Sequence, residues 1–109
     1  MRVEKKENVN GGKGPMYVKH ILEEEQRNSK TKLFAEITIP AGTVLGYHEH
    51  HGESETYYII SGEGEYNDNG TIRPVKKGDM TFTPNGSGHG MTNHGTEDLV
   101  FIALIQLED

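Results

Sequence analysis

Residues Gly42 to Gly62 read GTVLGYHEHHGESETYYIISG. Thr43 to His50 is expected to be one strand, and ETYYIISGEG, from Glu55 to Gly64, another. The Tyr57-Tyr58-Ile59-Ile60 run is apolar on both faces, which suits a central strand or a subunit contact. The ten residues from Gly46 to Glu55 hold three of the chain's six histidines and three glutamates, with Tyr47 as the lone apolar side chain. A solvated loop can be this polar. The spacing says more. His48 and His50 are two apart, and on a strand residues i and i+2 project from the same face. Two imidazoles therefore share one space, and the HGES link can bend Glu55 back toward them.

Outward from this stretch the chain repeats one pattern. Leu33, Ala35, Ile37 and Ile39 alternate with Glu36 and Thr38, a period of two. Asn-Asp-Asn-Gly, residues 67–70, suits a tight hairpin turn with positive φ at its Asn and Gly, and Thr71 to Val75 forms the return strand. Met80 to Thr83, His89 to Asn93 and Leu99 to Leu107 follow, with Met80 and Phe82 expected to pack inside. Met16 to Leu22 is a first strand, LEEEQR a single helical turn, and residues 1–15 a polar stretch ending in a loop. In all there are about nine strands, spaced by roughly 8–12 residues. Fourteen glycines fall between them, as tight turns require. The chain reads as all-β with a closed or double-sheet core.

Composition narrows the functions. With 109 residues the chain fits one domain. Its formal charge of −6 and lack of a basic run argue against a nucleic-acid partner. No apolar stretch is long enough to cross a bilayer, and MRVEKKENVN is neither a signal nor an anchor, so a cytoplasmic protein is expected. There is no cysteine, so any metal site must use His, Asp, Glu and water. His89, just after the PNGSG turn, offers a third imidazole. Three neutral imidazoles and one carboxylate suit a divalent first-row metal, and four protein ligands leave two octahedral positions open.

The spacing also resembles a known family. Gly42, five residues, His48-Glu49-His50, four residues, Glu55, six residues, Gly62 is similar to the first signature of the cupins. Gly78, five residues, Pro84, one residue, Gly86, two residues, His89, three residues, Asn93 is similar to the second. The resemblance spans residues 33 to 107. It implies a jelly-roll barrel (a double-stranded β-helix) over residues 33–109, with residues 1–32 packing on it as an N-terminal segment. It also implies that His48, His50, Glu55 and His89 ligate one divalent metal (Mn, Fe, Ni or Zn) inside the barrel mouth.

Other polar residues near these motifs read differently. His51 points away from His48 and His50 by alternation, and His94 and the isolated His20 are expected to be ordinary. Glu49 and Glu53 read as rim carboxylates, and Asn93 as a turn or supporting residue. Tyr57 shares the parity of Glu55, so it either lines the cavity or packs in the core. Met91 is a candidate apolar wall near His89.

The resemblance leaves the reaction open. Oxalate-decarboxylase-like cupins carry an arginine two residues before the first histidine to hold the anionic substrate. Here that position is Gly46, and no arginine lies in either motif. Three readings follow. One is a metal-dependent enzyme of oxygenase or lyase type acting on a small organic molecule. Another is a non-catalytic binding or sensing module, and the third a purely structural metal, disfavoured by the open positions. The doubly apolar strands further predict a homodimer, unless the N-terminal 30 residues cover them.

Overall fold

Ten strands make two antiparallel sheets in the computed structural model, which describes residues 1–108. They are β1 (Val3–Glu7), β2 (Pro15–His20), β3 (Thr31–Ile39), β4 (Val44–Glu49), β5 (Glu53–Ser61), β6 (Glu63–Asp68), β7 (Thr71–Lys76), β8 (Met80–Thr83), β9 (Gly88–Thr92) and β10 (Leu99–Leu107). The larger sheet runs β1-β2-β3-β10-β5-β8 and the smaller β4-β9-β6-β7. This is the expected double-stranded β-helix. The alternation in β3 buries Ala35, Ile37 and Ile39, and β10 answers with Leu99, Phe101 and Ala103. Leu45, Tyr66, Val75 and Met91 complete the core from the smaller sheet.

The punctuation falls where it was read. Asn69 and Gly70 turn the β6–β7 hairpin with φ of 50° and 100°. Gly62 has a φ of 84°, and a Cβ there would lie 2.4 Å from the Asp98 carbonyl oxygen, so both conformation and space demand glycine. Residues 24–26 form the single helical turn, a 3-10 turn closed by a capping box between Glu23 and Gln26.

Three expectations fail. Residues 1–15 are not merely a polar loop, because β1 lies within them and pairs along its length with β2. As a sheet edge exposed on both faces it needs no apolar alternation, so its sequence gives no sign of it. His20 is not ordinary. It is buried, and its Nε2 meets Glu4 Oε1 at 2.5 Å, tying β2 to β1. In β8 the inside and outside are exchanged: Thr81 and Thr83 are buried while Met80 and Phe82 are exposed. The barrel interior at this point is polar, and threonine hydroxyls serve it better than methionine or phenylalanine.

Candidate metal centre

The smaller sheet and the link that follows β4 supply three imidazoles. His48 lies directly across the β4–β9 ladder from His89, and His50 follows β4, held by its own N–H to the Ser87 carbonyl. The ladder slips between Leu45 and His48. This irregularity lets both Leu45 and His48 line the cavity, although they are three residues apart. The larger sheet faces them with β5, where Glu53, Glu55, Tyr57 and Ile59 are buried on alternate positions. The three ring centroids stand 4.7–5.0 Å from one another, nearly an equilateral triangle.

Each ring is oriented from behind through Nδ1. His48 Nδ1 donates to the Gly46 carbonyl at 2.8 Å. His50 Nδ1 meets Glu53 Oε2 at 2.5 Å. His89 Nδ1 lies 2.8 Å from the Tyr66 hydroxyl and 2.9 Å from the Thr83 hydroxyl. A carbonyl and a carboxylate accept only, so His48 and His50 carry their Nδ1 protons outward and turn Nε2 lone pairs inward. There Glu55 Oε1 sits 2.9 Å from both His50 Nε2 and His89 Nε2, which are 3.1 Å apart. The ligand atoms of His48, His50, Glu55 and His89 all lie within 4.8 Å of one another, a group that can hold a metal ion.

This convergence calls for a cation. Lone pairs and a buried carboxylate aimed at one point repel unless a proton or metal ion lies among them. Adjacent ligands about 2.1 Å from an octahedral ion stand about 3.0 Å apart, close to the separations among His50, Glu55 and His89. The protonation tendencies agree. Burial pulls the His48 pKa down, which keeps its lone pair free. The hydrogen bond to Glu55, reinforced by Glu53, raises His50 against its burial. Burial opposes ionisation of Glu55, but hydrogen bonds from His50 and His89 outweigh it and hold the carboxyl below its ordinary range. The site therefore keeps its carboxylate ionised while drawing positive charge.

The cluster opens onto a cavity of about 310 Å³. Apolar side chains such as Val18, Leu45, Phe101 and Ile105 form its walls, and Lys6, Asn10, Lys32 and Glu49 stand among its polar lining. Tyr57 does line it, answering the question its parity raised, and its ring stacks on His89 at 4.8 Å. Burial holds its hydroxyl protonated far above the usual range. Met91 is buried in the core and does not line this cavity.

His51 and His94 lie outside the cluster, exposed beside Glu49 and Glu65. Asn93 holds a turn, donating to the Ile39 and Glu97 carbonyls. Glu53 corrects the reading of a rim carboxylate. It is 7% exposed and bridges His50 to Lys32, whose Nζ donates to Oε1 at 2.9 Å. Sequence reasoning missed Tyr66 and Thr83 altogether; Glu53 could have been found, since it shares the parity of Glu55.

Gly46, where an arginine was missing, has a structural explanation. The 3-10 turn Val9–Gly11 crosses β4 there, and a Cβ on Gly46 would lie 2.1 Å from the Asn10 carbonyl oxygen. Gly12 is equally tight against Val44, at 1.8 Å. The N-terminal segment thus occupies the space that any side chain at position 46 would need.

A polar, metal-competent mouth in a double-stranded β-helix defines a class, and the chain belongs to the cupin family: the cupin domain model matches residues 35–105. Among individual relatives, an oxalate-binding protein of Thermotoga maritima is 45% identical over 100 residues, covering 92% of this chain and 83% of its own length. The crystal structure of a predicted oxalate decarboxylase from Thermotoga maritima superposes with a TM-score of 0.94 at 43% identity, covering 98% of this chain and 93% of the other. An uncharacterized conserved protein with a double-stranded β-helix domain from Klebsiella pneumoniae matches at 27% identity and a TM-score of 0.71, covering 84% and 75%.

Proposed function

We propose that this cupin binds one divalent transition metal (Mn, Fe, Ni or Zn) through His48, His50, Glu55 and His89 and uses its open positions to hold a small carboxylate ligand. The observation that carries this reading is the convergence of imidazole Nε2 atoms and Glu55 Oε1 on a cavity with apolar walls and charged residues in its lining. When bound, the metal supplies a Lewis-acidic or redox centre. The protein's own groups orient the three rings, exclude water with apolar walls and present a protonated Tyr57 hydroxyl. The oxalate-binding relative supports a dicarboxylate of that size. Lys6 and Lys32 are the cations available at the mouth in place of an arginine.

The binding reading is favoured over catalysis because Glu53, the further carboxylate that touches His50, is already bonded on both oxygens. An oxygenase or lyase is the second reading, supported by the Tyr57 hydroxyl 3.4 Å from His89 Nε2 as a proton donor. Metal analysis, followed by oxalate titration and turnover assays with carboxylates and catechols, separates them. Saturable oxalate binding without turnover supports the first reading, and turnover the second. Failure of the metal-loaded protein to bind any carboxylate would sink the ligand assignment.

The outer face of the larger sheet supports a homodimer. Tyr58, Met80 and Phe82 are 50%, 57% and 48% exposed there. The N-terminal strands do not cover them: β1 and β2 extend the opposite edge of the sheet, beyond β3. A second copy is the simplest cover. Sedimentation equilibrium at micromolar concentration tests it, and a one-chain mass without trend on dilution would refute it. No helix among the described residues is long and apolar enough to cross a membrane.

A further inference from the structure

We propose that Glu53 is a positioning residue for the metal centre, setting its affinity through the Nδ1 side of His50 and held in place by Lys32 from the cavity mouth. This rests on the metal reading above. The three imidazoles are braced unequally. His48 leans on a neutral carbonyl and His89 on hydroxyls, which can donate as well as accept. Only His50 among them faces an ionised carboxylate, the strongest acceptor for an imidazole N–H. A carboxylate that pulls on the Nδ1 proton leaves more electron density in the ring and makes Nε2 a better donor to a metal, and the fixed contact holds the ring in its ligating orientation.

The bracing group is itself built in. Glu53 is 7% exposed and sits two residues before Glu55 on the same face of β5. Two carboxylates so close to one cluster would repel each other without compensation. Lys32, on β3, supplies it at 2.9 Å from Oε1 while Oε2 remains on His50. The Lys32 side chain is 56% exposed and lines the mouth, so this ion pair can be altered without opening the core.

The test is a competition titration of Zn(II) against a chelating dye. Glu53→Gln keeps the shape but loses the charge, and should weaken Zn(II) binding roughly 10–100-fold. Circular dichroism of the metal-free variant should match wild type. Lys32→Gln leaves the His50 contact in place and should change affinity by no more than about fivefold, as for an exposed pair. Equal affinity in Glu53→Gln and wild type would overturn the proposal while leaving the metal reading intact. So would a gain in Lys32→Gln as large as the loss in Glu53→Gln, which would point to general charge rather than to the contact. A wild type that binds no Zn(II) or other transition metal would instead defeat the metal reading itself. Should Glu53→Gln fail to fold, nitrogen-15 spectra of zinc-loaded wild type still decide. Nε2 coordination with a retained, hydrogen-bonded Nδ1 proton on His50 is expected, and Nδ1 coordination would overturn the proposal.

Discussion

The two faces of the β5–β8 pair are opposites of what a soluble barrel is expected to show. The inner face carries Glu53, Glu55, Tyr57, Thr81 and Thr83, all buried. The outer face carries Tyr58, Met80 and Phe82, all exposed. Cross-strand pairing keeps the two sets apart: Glu55 is opposite Thr83 and Tyr57 opposite Thr81, whereas Tyr58 is opposite Met80 and Thr56 opposite Phe82. Glu53, Glu55, Tyr57 and Thr83 are buried because imidazoles across the barrel meet their oxygens. Apolar groups exposed in a row call for a surface to cover them. The same alternation thus lines the candidate site on one side and leaves an apolar row uncovered on the other.

The cluster between the inner face and the imidazoles opposite should break most completely. His50→Ala and His89→Ala each remove a donor from the cluster and should lose most of the bound metal by elemental analysis. His51→Ala and His94→Ala, exposed and outside the cluster, should retain it. Equal loss in all four would show that the face has been assigned wrongly.

Next in size is the coupling of metal to folding. The cluster joins the smaller sheet to β5 of the larger, so a metal held there would bind the folded chain in preference to the unfolded one. At free metal 100 times Kd the gain is about 2.7 kcal/mol, on the order of 10 °C in melting temperature for a domain of this size. A chelator should remove that increment in wild type and have no effect in the Glu55→Ala, His89→Ala double variant. Unchanged melting of the loaded wild type after chelation would uncouple the two.

The outer face should respond without disturbing the inner. Phe82→Lys with Tyr58→Lys places charge in the apolar row and should shift a dimer to monomer in sedimentation, with metal content unchanged. Loss of metal in that variant would show that the two faces are not independent.

The smallest effect is the pH dependence of the metal-free protein. Glu55 is held below its ordinary 4.5, so its stabilising contribution is full above that pH and fades as pH falls through the lowered value. His50 is raised above its ordinary 6.5, so its contribution is full below that pH and is lost as pH rises through the raised value. His48, lowered below 6.5 by burial, adds stability as pH rises to that value, so melting temperature should peak near pH 6.5 and fall on both sides. In Glu55→Gln the acid-side fall should flatten.

Much of this was legible in residue order. The two spaced signatures pointed to the four clustered residues, and turn glycines with strand alternation pointed to a β-barrel, because period and turn chemistry are local properties. Glu53 was legible in parity but was read as rim, since a carboxylate's burial depends on partners that sequence does not show. Tyr66 and Thr83 carried no local signal at all. They matter only because β6 and β8 bring their hydroxyls to His89 from 23 and 6 residues away.

Sequence alone determined the fold class, the cluster of His48, His50, Glu55 and His89, and the absence of an arginine at position 46, because each rests on residue type at fixed spacing. Tertiary structure decided what stands behind each imidazole, which face of β8 is inside, and why Gly46 is glycine. The last depends on a polar N-terminal segment, distant in sequence, laying the Asn10 carbonyl over β4. Long-range pairing of this kind is chosen by backbone hydrogen bonds and close packing, which leave no periodic trace in an exposed edge strand.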